Sequence, residues 1–230
     1  MARNKISHFV AKFAFKIICG LFIAAVVGIL IWRMVSSGDP KEIAHLQGNE
    51  EISEAYAEHG KDMYIFSQKL DNITRTEYNY GYFSINRALF IDDAQQLQFI
   101  LRYNNSTLKS ISEDLKLPEH SRDEDIFDVV VTVMYDLTPE NKDDNSGETL
   151  GTVKRVQYTA SSSKHAKKNL YNYKRYTFDG IKITDDVLAV YVDIYYDRDV
   201  KAAGTLVIYD YRYPKNEYSL TQADIGAIGK

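Results

Sequence analysis

An uncharged apolar run from Ile17 to Trp32, IICGLFIAAVVGILIW, constrains this chain more than any other feature. Lys12, Lys16 and Arg33 flank it and can lay their aliphatic stems along it, so the usable span reaches the roughly 20 residues that cross a bilayer. Residues 1–35 carry Arg3, Lys5, Lys12, Lys16 and Arg33 and no acid, whereas Asp39, Glu42, Glu50, Glu51, Glu54 and Glu58 come after them. By the positive-inside tendency, residues 1–16 are expected to be a cytoplasmic basic N-terminus, 17–35 a single-pass anchor in contact with lipid, and the remainder extracytoplasmic. Trp32 stands where an interfacial aromatic belongs. The competing readings are a cleaved signal peptide with secretion of the rest, and a buried core helix. Against the first, the run exceeds the about 7 to 15 apolar residues of a signal-peptide core, and Trp32 and Arg33 crowd the cleavage-like pattern at Val35 and Ser37.

The chain beyond the anchor has the length of one domain, and its hydrophobic content argues against wholesale disorder. Residues 36–60, SSGDPKEIAHLQGNEEISEAYAEHG, hold many charges and sparse apolar positions, which suits a stalk or a short helix leaving the membrane. From residue 61 to 230 the period turns to two, the mark of strands. Leu97, Phe99, Leu101 and Tyr103 share one side of a strand, with Gln98 and Arg102 on the other. Val129, Val131, Val133, Tyr135 and Leu137 form a second apolar row, opposed by Asp128, Thr132 and Asp136. Leu188, Val190, Val192, Ile194 and Tyr196 form a third, opposed by Ala189, Tyr191, Asp193 and Tyr195. Weaker strands are expected over 63–69, 80–91, 150–160, 169–178 and 204–213. One short helix is expected at Thr107–Leu115 behind a Ser106 cap, and turns at DDAQQ after Ile91 and at Gly180.

About eight short strands with one-sided apolar faces and a single inserted helix predict a mainly β fold, an antiparallel β-sandwich of immunoglobulin-like type. The 18 tyrosines fit strands, where the ring packs and the hydroxyl stays wet. Cys19, the only cysteine, lies inside the apolar run, so the domain core has to hold without a disulfide.

Beyond residue 35 the chain is more acidic than its net charge of −4, which argues against a nucleic-acid-binding class. The basic exception is Ser161–Tyr176. There Lys164, His165, Lys167, Lys168, Lys174 and Arg175 interleave with Tyr171, Tyr173 and Tyr176, a mixture suited to an anionic or carbohydrate polymer, a phosphate-bearing headgroup or a sugar. The same letters suit a loop feeding an edge strand whose lysines discourage pairing with another sheet. Asp143, Asn145 and Glu148 place oxygen ligands in one loop, the donor type a hard cation takes, but the spacing departs from a calcium loop and a solvated turn explains it equally. Ser161 and Lys164 spell S-x-x-K without its partner motifs. Acid pairs such as Asp92/Asp93 and Asp185/Asp186 read as turn residues.

No catalytic residue, cofactor or metal is therefore expected. The expectation is a non-enzymatic, membrane-anchored interaction module that binds a protein partner or envelope component. The alternatives are a polymer binder using the Lys/Tyr patch and a cell-surface hydrolase using a carboxylate pair.

Overall fold

The computed structural model describes residues 2–68, 83–116, 127–137, 153–169, 171–196 and 202–228. The chain divides into two units, Met1–Gly38 and Asp39–Lys230. The first is helix α1, Ala2–Ser37. Its segment Phe15–Trp32 has a mean hydropathy of 2.5, and none of it is buried against protein, so this helix is long and apolar enough to cross a membrane. Signal sequences near an N-terminus share that length and composition.

In chain order the second unit contains α2 (Glu50–His59), β1 (Ile65–Ser67), β2 (Phe83–Ile91), β3 (Gln96–Asn104), α3 (Asn105–Leu115), β4 (Phe127–Asp136), β5 (Val153–Thr159), β6 (Ser162–Lys168), β7 (Tyr171–Asp179), β8 (Val187–Tyr196), β9 (Ala202–Asp210), β10 (Asn216–Glu217) and α4 (Gln222–Ile228). This mainly β unit forms two antiparallel sheets. One runs β10-β1-β2-β3-β7-β6 and the other β5-β4-β8-β9. The principal core draws on both. Phe90, Leu97, Phe99, Leu101, Tyr176 and Phe178 from the first sheet join Val129, Val131, Val133, Val190, Val192 and Ile194 from the second. Phe127 is an aromatic hub, its ring 4.9 Å from Phe83, 4.8 Å from Tyr103 and 5.9 Å from Tyr196. Its carbonyl accepts from the Tyr176 hydroxyl at 3.1 Å. Burying each such ring stabilises the fold by roughly 1.5 to 3 kcal/mol.

The three apolar rows expected from the alternation point into this core, with two exceptions. Leu137 lies beyond the end of β4 and is exposed. In β8, the register with β4 shifts between Met134 and Tyr135, so Val187 enters the core and Leu188 does not. A β-bulge breaks the period that put Leu188 in the row. The inserted helix forms as α3, but its cap is Asn104, whose side-chain oxygen accepts from Thr107 N at 2.8 Å, while the Ser106 hydroxyl donates to that same oxygen at 2.6 Å. Lys116, at φ 56°, ends it. The turns at 92–95 and at Gly180 form as expected, with Gln95 at φ 47° and Gly180 at φ 76°.

Of residues 36–60, expected as a stalk or a short helix, 50–59 form helix α2 and 39–60 lie on the outer face of the six-stranded sheet. Ile43, Leu46 and Ile52 are fully or almost fully buried there. Leu46, Ile52, Ala55, Met63, Ile65, Leu89, Ile91 and Ile228 make a second apolar cluster, and Ile43, Ile100, Ala166 and Tyr173 a third. Few apolar residues are needed because side chains tether the backbone of this strap, whose polar groups must otherwise find water. Arg87 donates to the Ala44 carbonyl (3.2 Å) and Arg175 to that of His45 (3.0 Å). Asp224 accepts from Leu46 N (3.0 Å), and the Gln98 carboxamide both accepts from Gln47 N (2.8 Å) and donates to Gln47 O (3.0 Å).

Candidate functional site

The outer face of the four-stranded sheet differs. The residues alternating with the apolar rows of β4 and β8 point outward and join the outward residues of β5 and β9. Cross-strand pairing sets Thr132 beside Gln157 and Tyr191, Met134 beside Arg155, and Asp193 beside Thr205. Thr132, Met134, Arg155, Gln157, Tyr191, Asp193 and Thr205 line an open hollow of about 650 Å³ across all four strands.

Two threonines hold Asp193 in place. Thr205 Oγ1 donates to Asp193 Oδ1 at 2.7 Å and Thr132 Oγ1 to Asp193 Oδ2 at 3.2 Å, so one carboxylate links β4, β8 and β9. Burial first, and the Asp193 charge second, push the Tyr195 hydroxyl up from its ordinary value. Arg155 is exposed and forms no ion pair among the described residues. The face thus offers one guanidinium, a thioether, phenol rings and a pinned carboxylate. These groups can bind and orient another surface; Tyr, Met and Arg are enriched where proteins meet.

The Lys/Tyr patch from the sequence lies on β6 and β7 and is divided by the pleat. Its residues 162–168 form an edge strand in their own right. Lys167 is exposed and Lys168 half-buried. Tyr173 is fully buried beneath the strap with Ile43 and Ile100, and Tyr171 packs at the margin of that cluster, below Arg102. Arg175 is also buried on the strap side. Lys174 points the opposite way, with its ammonium 4.8 Å from the Tyr176 ring centroid. The loop carrying Asp143, Asn145 and Glu148 lies outside the described residues.

Ser161 and Lys164 of the S-x-x-K letters bind different carbonyls, those of Thr177 and Glu42. Of the acid pairs, Asp92 accepts from Ile183 N, Asp93 from Tyr64 N and Asp186 from the Thr184 hydroxyl, as turn and capping residues do. Sequence reasoning identified the outward rows of β4 and β8 but not the hollow, which requires β5 and β9 beside them. No protein-family model matches the chain, and no curated protein sequence matches it.

Proposed function

We propose that this chain is a single-pass, membrane-anchored interaction module, non-enzymatic, whose extracytoplasmic domain presents the outer face of its four-stranded sheet to a protein partner. The observation that carries this reading is the hollow over Thr132, Met134, Arg155, Gln157, Tyr191, Asp193 and Thr205, on a sheet face that no other described element covers. The lining sets the partner's chemistry: a carboxylate to meet Arg155, and apolar surface to cover Met134 and Tyr191.

The fold reading behind it is an immunoglobulin-like sandwich. With β2 to β9 taken as strands A, B, C, C′, D, E, F and G, the sheet orders become A-B-E-D and C′-C-F-G, the arrangement of that fold. Phe127, at the start of the strand equivalent to C, gathers the rings that a tryptophan and disulfide gather in antibody domains. The apolar helix α1 and the basic residues before it support an anchor with its N-terminus in the cytoplasm.

Two experiments test the reading. In a Cys19→Ala background, a cysteine replacing Ser163 is expected to react with an impermeant thiol reagent in intact cells; protection until lysis overturns the orientation. A photo-crosslinking residue at Gln157 is expected to yield one discrete adduct in intact cells, with none from the same residue at Lys109 on α3. Arg155→Glu should abolish that adduct. Equal adducts from both positions, or an adduct that survives the charge reversal, overturn the assigned face.

A further inference from the structure

The pairing of β6 with β7 sets Lys164 directly opposite Arg175. Like charges in that position repel, so antiparallel sheets ordinarily avoid the arrangement. Neither cation has an ion pair among the described residues. Lys164 Nζ donates to the Glu42 carbonyl at 3.5 Å and Arg175 Nη1 to the His45 carbonyl at 3.0 Å, both neutral acceptors. Arg175 keeps 8% of its surface, and its Nε is buried without a hydrogen-bond partner. A guanidinium cannot escape burial by losing its proton, and a buried charge without compensation is costly. Burial does push Arg175 below its ordinary value.

Beside these two residues, on the outer face of the six-stranded sheet, opens a hollow of about 460 Å³. Glu42, His45, Lys164 and Arg175 line it, together with Gly48, Gly226 and Ala227. Asp224 lies 3.8 Å from His45 Nδ1, but it is fully buried and taken up by Leu46 N, Thr221 N, the Thr221 hydroxyl and the Tyr218 hydroxyl. Its donors are all neutral, so it keeps its charge, but neither it nor the Glu42 carboxylate of the lining forms an ion pair with Lys164 or Arg175 among the described residues.

We propose that this hollow binds a phosphate monoester, with Lys164 and Arg175 on its oxygens and the His45 ring as a further hydrogen-bonding group. Two fixed positive charges, set against the single exposed carboxylate of Glu42 in the lining, favour a group that carries about −1.5 to −2 at neutral pH. The site lies on the opposite sheet from the proposed partner face, so either can fail alone. The phosphate belongs to a lipid headgroup or to a soluble molecule, and the two sources are separable.

The full chain in an uncharged detergent is titrated with inorganic phosphate while its thermal unfolding midpoint is followed, with sodium chloride at matched ionic strength as the control. A saturable rise beyond the chloride control is expected. Lys164→Gln, at an exposed position, should weaken the apparent affinity about tenfold, whereas Lys167→Gln and Lys168→Gln should leave it unchanged. Arg175→Lys, which keeps the charge and removes the guanidinium N–H groups, should weaken it by a similar factor. In a second arm the chain is reconstituted in neutral vesicles with and without phosphatidate. A Lys164-dependent midpoint rise from phosphatidate identifies a headgroup ligand, and a rise from free phosphate alone identifies a soluble one; both support the site. Absence of a rise beyond chloride in both arms overturns it, as does equal weakening by Lys167→Gln and Lys164→Gln.

Discussion

The two sheets of this domain share one core, yet their outer faces have opposite fates. On the six-stranded sheet the strap, α2 and α4 cover the outside, and β3 and β7 are buried almost continuously along both sides. On the four-stranded sheet β8 keeps the buried and half-buried alternation of a strand with one wet face. The difference lies less in apolar content than in how polar groups are used. Gln96 and Gln98 sit on the covered face, almost fully buried, because a carboxamide can pair with a backbone as another backbone would. Gln98 closes such a pair with Gln47 and passes a hydrogen bond to Gln96, which in turn donates to Asp179 at 2.6 Å. On the open face, Thr132 and Thr205 bond to Asp193 across the strands and leave room above them.

The contrast breaks first at Asp224, the residue that ties the C-terminal helix to the strap. Asp224→Ala strands Leu46 N, Thr221 N and the Tyr218 hydroxyl, and is expected to destabilise the domain by about 4 kcal/mol in denaturant unfolding. A smaller loss would mean that water replaces the carboxylate. Gly48→Ala comes next, because a Cβ there would collide with the Ala227 carbonyl and lie 2.9 Å from Ile228 Cα. The expected cost is about 2 kcal/mol, with faster amide exchange in α4 than in β4.

Acid should separate the faces without mutation. Burial works against the Asp224 charge, but hydrogen bonds from the Thr221 hydroxyl, the Leu46 amide and the Tyr218 hydroxyl outweigh it and hold its pKa below the usual carboxylate value. A depressed folded pKa gives stabilisation that is complete above the unfolded value, about 3.8, and is lost as pH falls through the folded one. Amide exchange at Leu46 and Thr221 should therefore accelerate below that value, and the acceleration should vanish in Asp224→Asn. The smallest effect is expected on the open face. Thr205→Ala and Met134→Ala should each change stability by about 0.5 kcal/mol or less while reducing the Gln157 adduct. A larger loss would mark this face as structural.

Much of the inner architecture was legible. Residues such as Leu97, Phe99, Val131 and Val192 announce their side by period alone, because pleating fixes which neighbours share a face. The exceptions have local causes, namely the bulge that displaces Leu188 and the asparagine that captures the start of α3. The edge strand β6, SSKHAKK, carries almost no apolar signal, since only Ala166 is buried in it; its backbone pairs with β7 regardless. The same pairing splits the Lys/Tyr patch, because adjacent residues of a strand point to opposite faces. Half of the open face was visible as the outward rows of β4 and β8, and β5 and β9 completed it.

By itself the sequence determined the apolar helix, its basic flank and the inward rows of the strands, because each depends on residues close together in the chain and on the fixed geometry of helix and pleat. Only the tertiary structure decided which outer face is covered and where Lys164 and Arg175 meet His45. Those outcomes rest on contacts such as Leu46 with Asp224, which are 178 residues apart, and on tethers that no local period encodes.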